Sequence, residues 1–381
     1  MRGRAIPPAT FTMPRDSLPR PSAPTIFRSP PSPPGTDGHS LSYFMKTQSV
    51  RVIFPSPGLA ALEEFPMPVI SHPTDVLIEN EYSIVSAGTE LACRAGLESW
   101  APLPFSPGYG SVGRVMAFGD EVKNLSVGQR VLSFGRHAKH ILGEFVVVPV
   151  PDGLDPVKVT FARMAAVSMA ASRASDAELG DFVAVIGLGL VGNLSAQLFG
   201  LAGCEVIGID PSARRREQAL ACGIPHVIAP GPEMKAQVAA ITEGRMCAAV
   251  IEATGLSSVA IESAPQLAAR FGEIVLLGSP RAPHVADVTP FLSGLHLCNA
   301  ETTVKGALEW RYPLLADPAG FCKHSIENNV RQLLRMMSHG KINTAPLLTH
   351  LVSPADCHSV YEGLANQKDL YTGVVFDWSK V

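Results

Sequence analysis

The sequence predicts an α/β protein in which a doubly wound parallel sheet is joined to a smaller β-rich domain. Three observations predict it. Residues 182–210 read as strand, glycine turn, helix and second strand; strands and helices alternate after that unit; and short strands separated by turn residues precede it.

Taken in order, residues 1–44 stand apart. They hold ten of the 33 prolines and five Arg against two Asp, without Lys, Glu or an apolar period, a composition that cannot build a core. They are expected to be disordered, and are read as either a start-codon artefact or an acid-poor transit peptide. The remainder is more acidic than the overall net charge of −3, which excludes a nucleic-acid surface, and no apolar run reaches the length of a membrane span. Seven scattered cysteines without a C-x-x-C fit a reducing cytoplasm and neither a disulfide framework nor a zinc knot.

From 50 to 171 the strand candidates are 50–54, 75–85, 110–118, 130–134 and 144–150, each alternating or running apolar between Gly, Pro, Asp or Asn. A helix over 157–175 follows. Then comes the central unit. Residues 182–186 form a continuous β-branched apolar run, as a strand buried on both faces requires. Gly187, Gly189 and Gly192 follow at G-x-G-x-x-G spacing. Leu190, Leu194, Leu198 and Leu201 then predict one helical stripe against the sheet.

If the ligand is a dinucleotide, each residue has a task. Gly187 makes the turn, Gly189 leaves the backbone bare for the pyrophosphate, and Gly192 lets helix and strand pack closely. Leu188, Leu190 and Val191 present their N–H groups at the helix start. Asp210, ending the second strand, is placed to accept ribose hydroxyls. Its charge would oppose a 2′-phosphate by on the order of 4 kcal/mol at about 4 Å and an effective dielectric near 20, which favours NAD over NADP. Arg215 and its neighbours Arg214 and Arg216 could soften that repulsion. Strands at 226–229, 248–253, 273–277 and 302–306 continue the rhythm, and Thr254, Gly278 and Ser279 fall just past strand carboxyl ends, where such sheets bind ligands. Helices at 326–339 and 355–365 and a strand at 373–377 close the chain.

Four stretches carry a resemblance: 86–90 (S-A-G-T-E), 107–113 (P-G-Y-G-S-V-G), 128–131 (G-Q-R-V) and the nucleotide unit with 304–307 (V-K-G-A). From Met45 onward the chain resembles the medium-chain dehydrogenase/reductase superfamily, the zinc alcohol dehydrogenases and their relatives. The run 82–91 is also similar to bacteriochlorophyllide hydroxyethyl dehydrogenases. The resemblance implies a GroES-like catalytic domain built from 45–175 and 316–381, with a Rossmann domain, 176–315, inserted between them.

It further implies that this is a zinc-free member, because Ala87, Tyr109 and Ala165 stand where zinc users carry ligands. Metal would then be replaced by polar side chains. By resemblance, Thr89 would relay the alcohol proton, Tyr109 would point its phenol into the vacated site, and Glu90 would anchor the loop or a substrate hydroxyl. His137 would be the general base, with a side-chain type that exchanges protons near neutrality. His140, Glu309 and Trp310 are read as structural, Gly278 and Ser279 as holding the carboxamide, Thr254 as flanking the nicotinamide ribose, and Lys305 as part of an edge strand that supports a homodimer. The expected activity is NAD-dependent interconversion of a secondary alcohol and its ketone. A quinone- or enoyl-type reductase and a non-catalytic dinucleotide-binding protein remain the alternatives.

Overall fold

Two large sheets of different hydrophobic pattern and a two-stranded one organise the described residues. The structure is a computed structural model, and it describes residues 47–143, 146–297 and 300–381; the expectation for 1–44 lies outside them. Strands β1 (Gln48–Ile53) and β2 (Ala61–Pro66) pair antiparallel. They are followed by β3 (Val76–Ile84), helix α1 (Ala87–Arg94), β4 (Ser111–Phe118), β5 (Arg130–Ser133), β6 (His140–Leu142) and β7 (Val147–Pro149). Val76, Ile78, Asn80 and Ile84 of β3 are buried, the period of two that a half-covered strand requires.

Helix α2 (Pro156–Ala174) starts where Asp155 accepts the Val157 N–H at 3.0 Å and Pro156 occupies the first turn. The nucleotide unit then runs through β8 (Phe182–Ile186), α3 (Leu190–Leu201), β9 (Glu205–Ile209), α4 (Ala213–Ala221), β10 (His226–Ile228), α5 (Met234–Ile241), β11 (Cys247–Glu252), β12 (Ala268–Leu276), α6 (Thr289–His296) and β13 (Thr303–Gly306). All six strands are parallel, in the order β10-β9-β8-β11-β12-β13. Counted from β8 this is 3-2-1-4-5-6, the doubly wound arrangement. Val183 and Val185 of β8 pack into one apolar layer, Ala184 and Ile186 into another. Both faces are therefore covered, which is why the strand reads as an unbroken apolar run.

The leucine stripe of α3 is placed differently from the expectation. Leu194 and Leu198 face α2 in the apolar cluster that α2 shares with the first sheet, whereas Ala196 and Phe199 meet the parallel sheet, and Leu201 is exposed. Gly192 and Ala196 on the sheet side of its first turns let the helix start close to β8, with Phe199 filling the space further along.

The carboxyl-terminal stretch returns to the first sheet. Helix α7 (Ile326–Ser338), capped by Ser325, buries Ile326, Val330, Leu333 and Leu334 against α2. Strand β14 (Leu348–Val352), α8 (Cys357–Asn366) and β15 (Gly373–Asp377) follow. The mostly antiparallel seven-stranded sheet has the order β14-β15-β3-β4-β5-β7, with β6 on β3, so both ends of the chain build it. Trp378 is fully buried, and its Nε1 donates to Ser83 Oγ on β3 at 2.9 Å.

Candidate functional site

The glycine turn joins β8 to α3 at the carboxyl end of the sheet. Gly187 has φ +94°, which a side-chain-bearing residue adopts only with strain. A Cβ on Gly192 would lie 1.8 Å from the Gly187 carbonyl oxygen, so helix and strand approach as closely as a bare backbone permits. Around Gly189 the space is open, its nearest neighbour being Arg215 Nη1, 4.0 Å from where a Cβ would stand. With the unpaired N–H groups of the first turn of α3, this cradle fits a dinucleotide pyrophosphate.

Asp210 is buried at the end of β9. Its Oδ2 accepts the Leu188 N–H and its Oδ1 the Ser212 N–H, both at 2.8 Å, so the carboxylate fastens the glycine turn to the start of α4. Each oxygen keeps a further lone pair for a ribose hydroxyl. Arg215 Nη1 lies 3.7 Å from Oδ2, and Arg215 Nη2 donates to the Lys368 carbonyl at 2.9 Å. Thr254 sits against Gly187, its N–H held by Glu252 Oε1 at 2.7 Å; Glu252 also accepts the Gly255 N–H at 2.9 Å. Gly278 closes against Gly255, and Ser279 is exposed beside them, so the ends of β11 and β12 form one rim. Arg281 Nε donates to Glu98 Oε1 at 2.6 Å, tying that rim to the loop after α1.

Across from the rim, α1 and the turn before β4 bring hydroxyls together. The Tyr109 hydroxyl donates to Ser86 Oγ and also engages Thr89 in the first turn of α1. Burial raises the phenol above its ordinary value, partly offset by the positive charge of Arg163. The Arg163 guanidinium lies 4.8 Å from the centre of the Tyr109 ring and 3.8 Å from that of Phe134. Its Nε donates to the Tyr109 carbonyl at 2.9 Å, and its two Nη atoms donate to the Glu309 carboxylate at 3.0 and 2.9 Å.

The family description "Alcohol dehydrogenase GroES-like domain" matches residues 72–149, and "Zinc-binding dehydrogenase" matches residues 190–312. The chain belongs to the medium-chain dehydrogenase/reductase superfamily. Among its relatives, D-guloside 3-dehydrogenase of Shigella flexneri is 26% identical over 280 residues, 70% of this chain and 76% of that one. The structure of 2R,3R-butanediol dehydrogenase from Bacillus subtilis matches with TM-score 0.72 at 19% identity, covering 86% of this chain and 99% of that one. A Sinorhizobium meliloti 1021 protein assigned as a zinc-binding dehydrogenase, bound to NADP, matches with TM-score 0.72 at 21% identity, covering 87% and 100%. The protein is an alcohol dehydrogenase-like oxidoreductase of this superfamily.

Zinc is the metal the family description implies, and the residues of this chain do not fit it. Ala87 and Ala165 offer no ligand atom, and Tyr109 offers a phenol that burial keeps protonated. Among the described residues no cluster of three His, Cys, Asp or Glu side chains is arranged to share a metal ion.

His137, expected as the general base of this superfamily member, turns inward. It is fully buried, its Nδ1 is 2.7 Å from Ser83 Oγ, its Nε2 is 3.1 Å from Glu90 Oε2, and its ring packs on Phe376. Both nitrogens are engaged and neither reaches the cleft. Glu90 is likewise buried. It accepts the Ser86 N–H at 2.8 Å and the Tyr361 hydroxyl at 2.5 Å, so it anchors the loop and does not present itself to a substrate hydroxyl. Thr89 and Tyr109 do come together. Glu309 and His140 hold structure: Glu309 clamps Arg163, and His140 Nδ1 lies 2.9 Å from Ser49 Oγ. Trp310 packs edge-on against Phe134 at 6.5 Å.

Two members of the site were not anticipated. Arg163 had a visible signal, the one charged residue in the largely apolar helix run 159–171. Ser86 had none beyond its place before Ala87.

Proposed function

We propose that the protein is an NAD-dependent, zinc-independent dehydrogenase interconverting a secondary alcohol and its ketone, the substrate being a polyol, a sugar derivative or a larger hydroxylated molecule. The observation that carries the reading is the Tyr109–Ser86–Thr89 hydroxyl cluster, tied through Arg163 to Glu309 just past the carboxyl end of β13 in a doubly wound sheet. When bound, the nicotinamide coenzyme supplies the hydride acceptor. The chain does the remainder. Gly187 makes the turn and Leu188, its N–H held by Asp210, fastens it; the backbone of Gly189, Leu190, Val191 and Gly192 cradles the pyrophosphate, Asp210 takes the adenosine ribose, and Thr254, Gly278 and Ser279 flank the nicotinamide end.

Tyr109 is the group that exchanges the alcohol proton, with Thr89 and Ser86 passing it on. A charge-assisted hydrogen bond from such a group to a developing alkoxide contributes roughly 1.5–3 kcal/mol, part of what a metal would supply. The donor set supports metal independence, since no ligand triad stands at Ala87, Tyr109 and Ala165.

Asp210 supports NAD. A second coenzyme reading, NADP, is favoured by Arg215, whose guanidinium lies close enough to offset that carboxylate. Strand β13 is hydrogen-bonded only to β12 among the described residues, and Val304 is 39% exposed, which supports a homodimer through this edge.

Fluorescence titration with NADH and NADPH, then turnover on a panel of polyols and secondary alcohols, tests the reading. Tighter NADH binding and turnover that survives a chelator are expected. Binding of neither coenzyme would end it; binding without any turnover would favour a non-catalytic dinucleotide protein.

A further inference from the structure

We propose that Arg163, clamped by Glu309, is a positioning residue that fixes the Tyr109 phenol and sets the charge it faces. The inference rests on the proposed role of Tyr109 as the proton-exchanging group. Arg163 comes from the middle of α2, where Thr160, Phe161, Ala162, Met164 and Ala165 around it are all buried, and it is itself 1% exposed. Burying an ion pair is weak support for a fold, because apolar side chains of like volume fill such a space without the desolvation penalty. A guanidinium kept there is explained better by what it touches.

Three contacts converge on Tyr109. Arg163 Nε donates to the tyrosine's carbonyl at 2.9 Å, and the guanidinium carbon lies 4.8 Å from the centre of its ring. The third contact is made by an absence: a Cβ on Gly110 would meet Arg163 Cγ at 2.5 Å, so the residue after Tyr109 must lack a side chain for the arginine stem to pass. The tyrosine is then held at its main chain by Arg163 and at its hydroxyl by Ser86. Glu309 fills both Nη atoms and keeps the cation in one orientation, with Phe134 on its other contact at 3.8 Å.

The charged groups around the phenol are Arg163 from α2, Glu90 from α1 and Glu309 behind the arginine. Glu90 opposes an anion there; Arg163 favours one. Removing the cation should therefore make Tyr109 a weaker acid, whatever the substrate.

The test labels the full chain with 3-fluorotyrosine and follows the fluorine NMR signal that Tyr109→Phe removes, across pH. Arg163→Met combined with Glu309→Met neutralises the pair together, so no unpaired charge stays buried. The Tyr109 midpoint is expected to rise by about one pH unit or more, the order of shift that an ion within a few ångström produces. Arg163→Lys, which keeps a charge in the same packing, should titrate between the two and serves alone if the double variant does not fold by circular dichroism.

An unmoved midpoint in the double variant, or a lysine variant no different from it, would overturn the proposal. With Arg163→Lys alone, a midpoint equal to the parent's would do so. The titration needs neither substrate nor turnover, so it can fail while the dehydrogenase reading stands, and it remains readable if no alcohol is oxidised.

Discussion

Asp210→Asn separates two jobs that one carboxylate performs. The wild-type side chain accepts two backbone N–H groups, from Leu188 and Ser212, each at 2.8 Å. An amide has a single acceptor oxygen and must turn its NH2 toward one of those donors, leaving a buried N–H without a partner. That costs about 2 kcal/mol, and the charge assistance is lost with it. For a chain of this size the corresponding fall in Tm is roughly 2–3 °C, read by calorimetry on the apo protein. Binding should change in a different direction. Without the carboxylate, a 2′-phosphate no longer meets a negative charge, while Arg215 remains beside it. The ratio of NADPH to NADH affinity should rise about tenfold, some 1.4 kcal/mol, well under the full Coulomb estimate because Arg215 already offsets part of it. An unchanged Tm would refute the fastening of the turn; an unchanged coenzyme ratio would refute Asp210 as the ribose-reading residue.

Further outcomes follow from the same geometry. Tyr109→Phe should lower kcat at least tenfold with NADH affinity unchanged, and an unaltered rate would remove Tyr109 from the chemistry. His137→Ala should act on the fold, at about 3 kcal/mol, because it removes one buried partner each from Glu90 and Ser83 and leaves a cavity; chemical unfolding reads this. Gly192→Ala should abolish coenzyme binding, since its methyl would overlap the Gly187 carbonyl, and retained binding would contradict the close helix approach. Burial pushes the Cys247 thiol up to about 12 from an ordinary value near 9. Its protonated form is favoured in the fold, so that stability is complete below pH 9 and is lost as pH rises toward 12; the urea midpoint should fall above pH 9, less steeply in Cys247→Ala.

The parallel sheet was legible because its strands are buried on both faces and carry their signal in every residue, and because the glycines at 187, 189 and 192 mark the turn between them. The elements missed were short or half-wet. Strands β2, β6 and β14 and helix α1 span three to eight residues and lack a continuous apolar face, so their partners define them more than their own composition does. Within the candidate site, Thr89 and Tyr109 were proposed from their order along the chain, and the structure brings their hydroxyls together. His137 was misjudged because order says nothing about which side of a strand edge a ring takes, and here Ser83 and Glu90 draw it inward. Arg163 is the converse case, its role being fixed by a contact with Gly110 and Glu309, residues far from it in sequence.

Strand β15 lies between β14 and β3, and Lys139 reaches the Trp378 carbonyl, so the last turn of chain is stitched into a sheet begun near the opposite terminus. On the ribosome, β3 must wait for the entire nucleotide-binding insertion to be translated before its neighbour exists. The doubly wound half can fold while synthesis continues; the other sheet closes only once β14 and β15 have been made. A truncation that removes β15 and Trp378 therefore touches the maturation of the sheet that carries the candidate site.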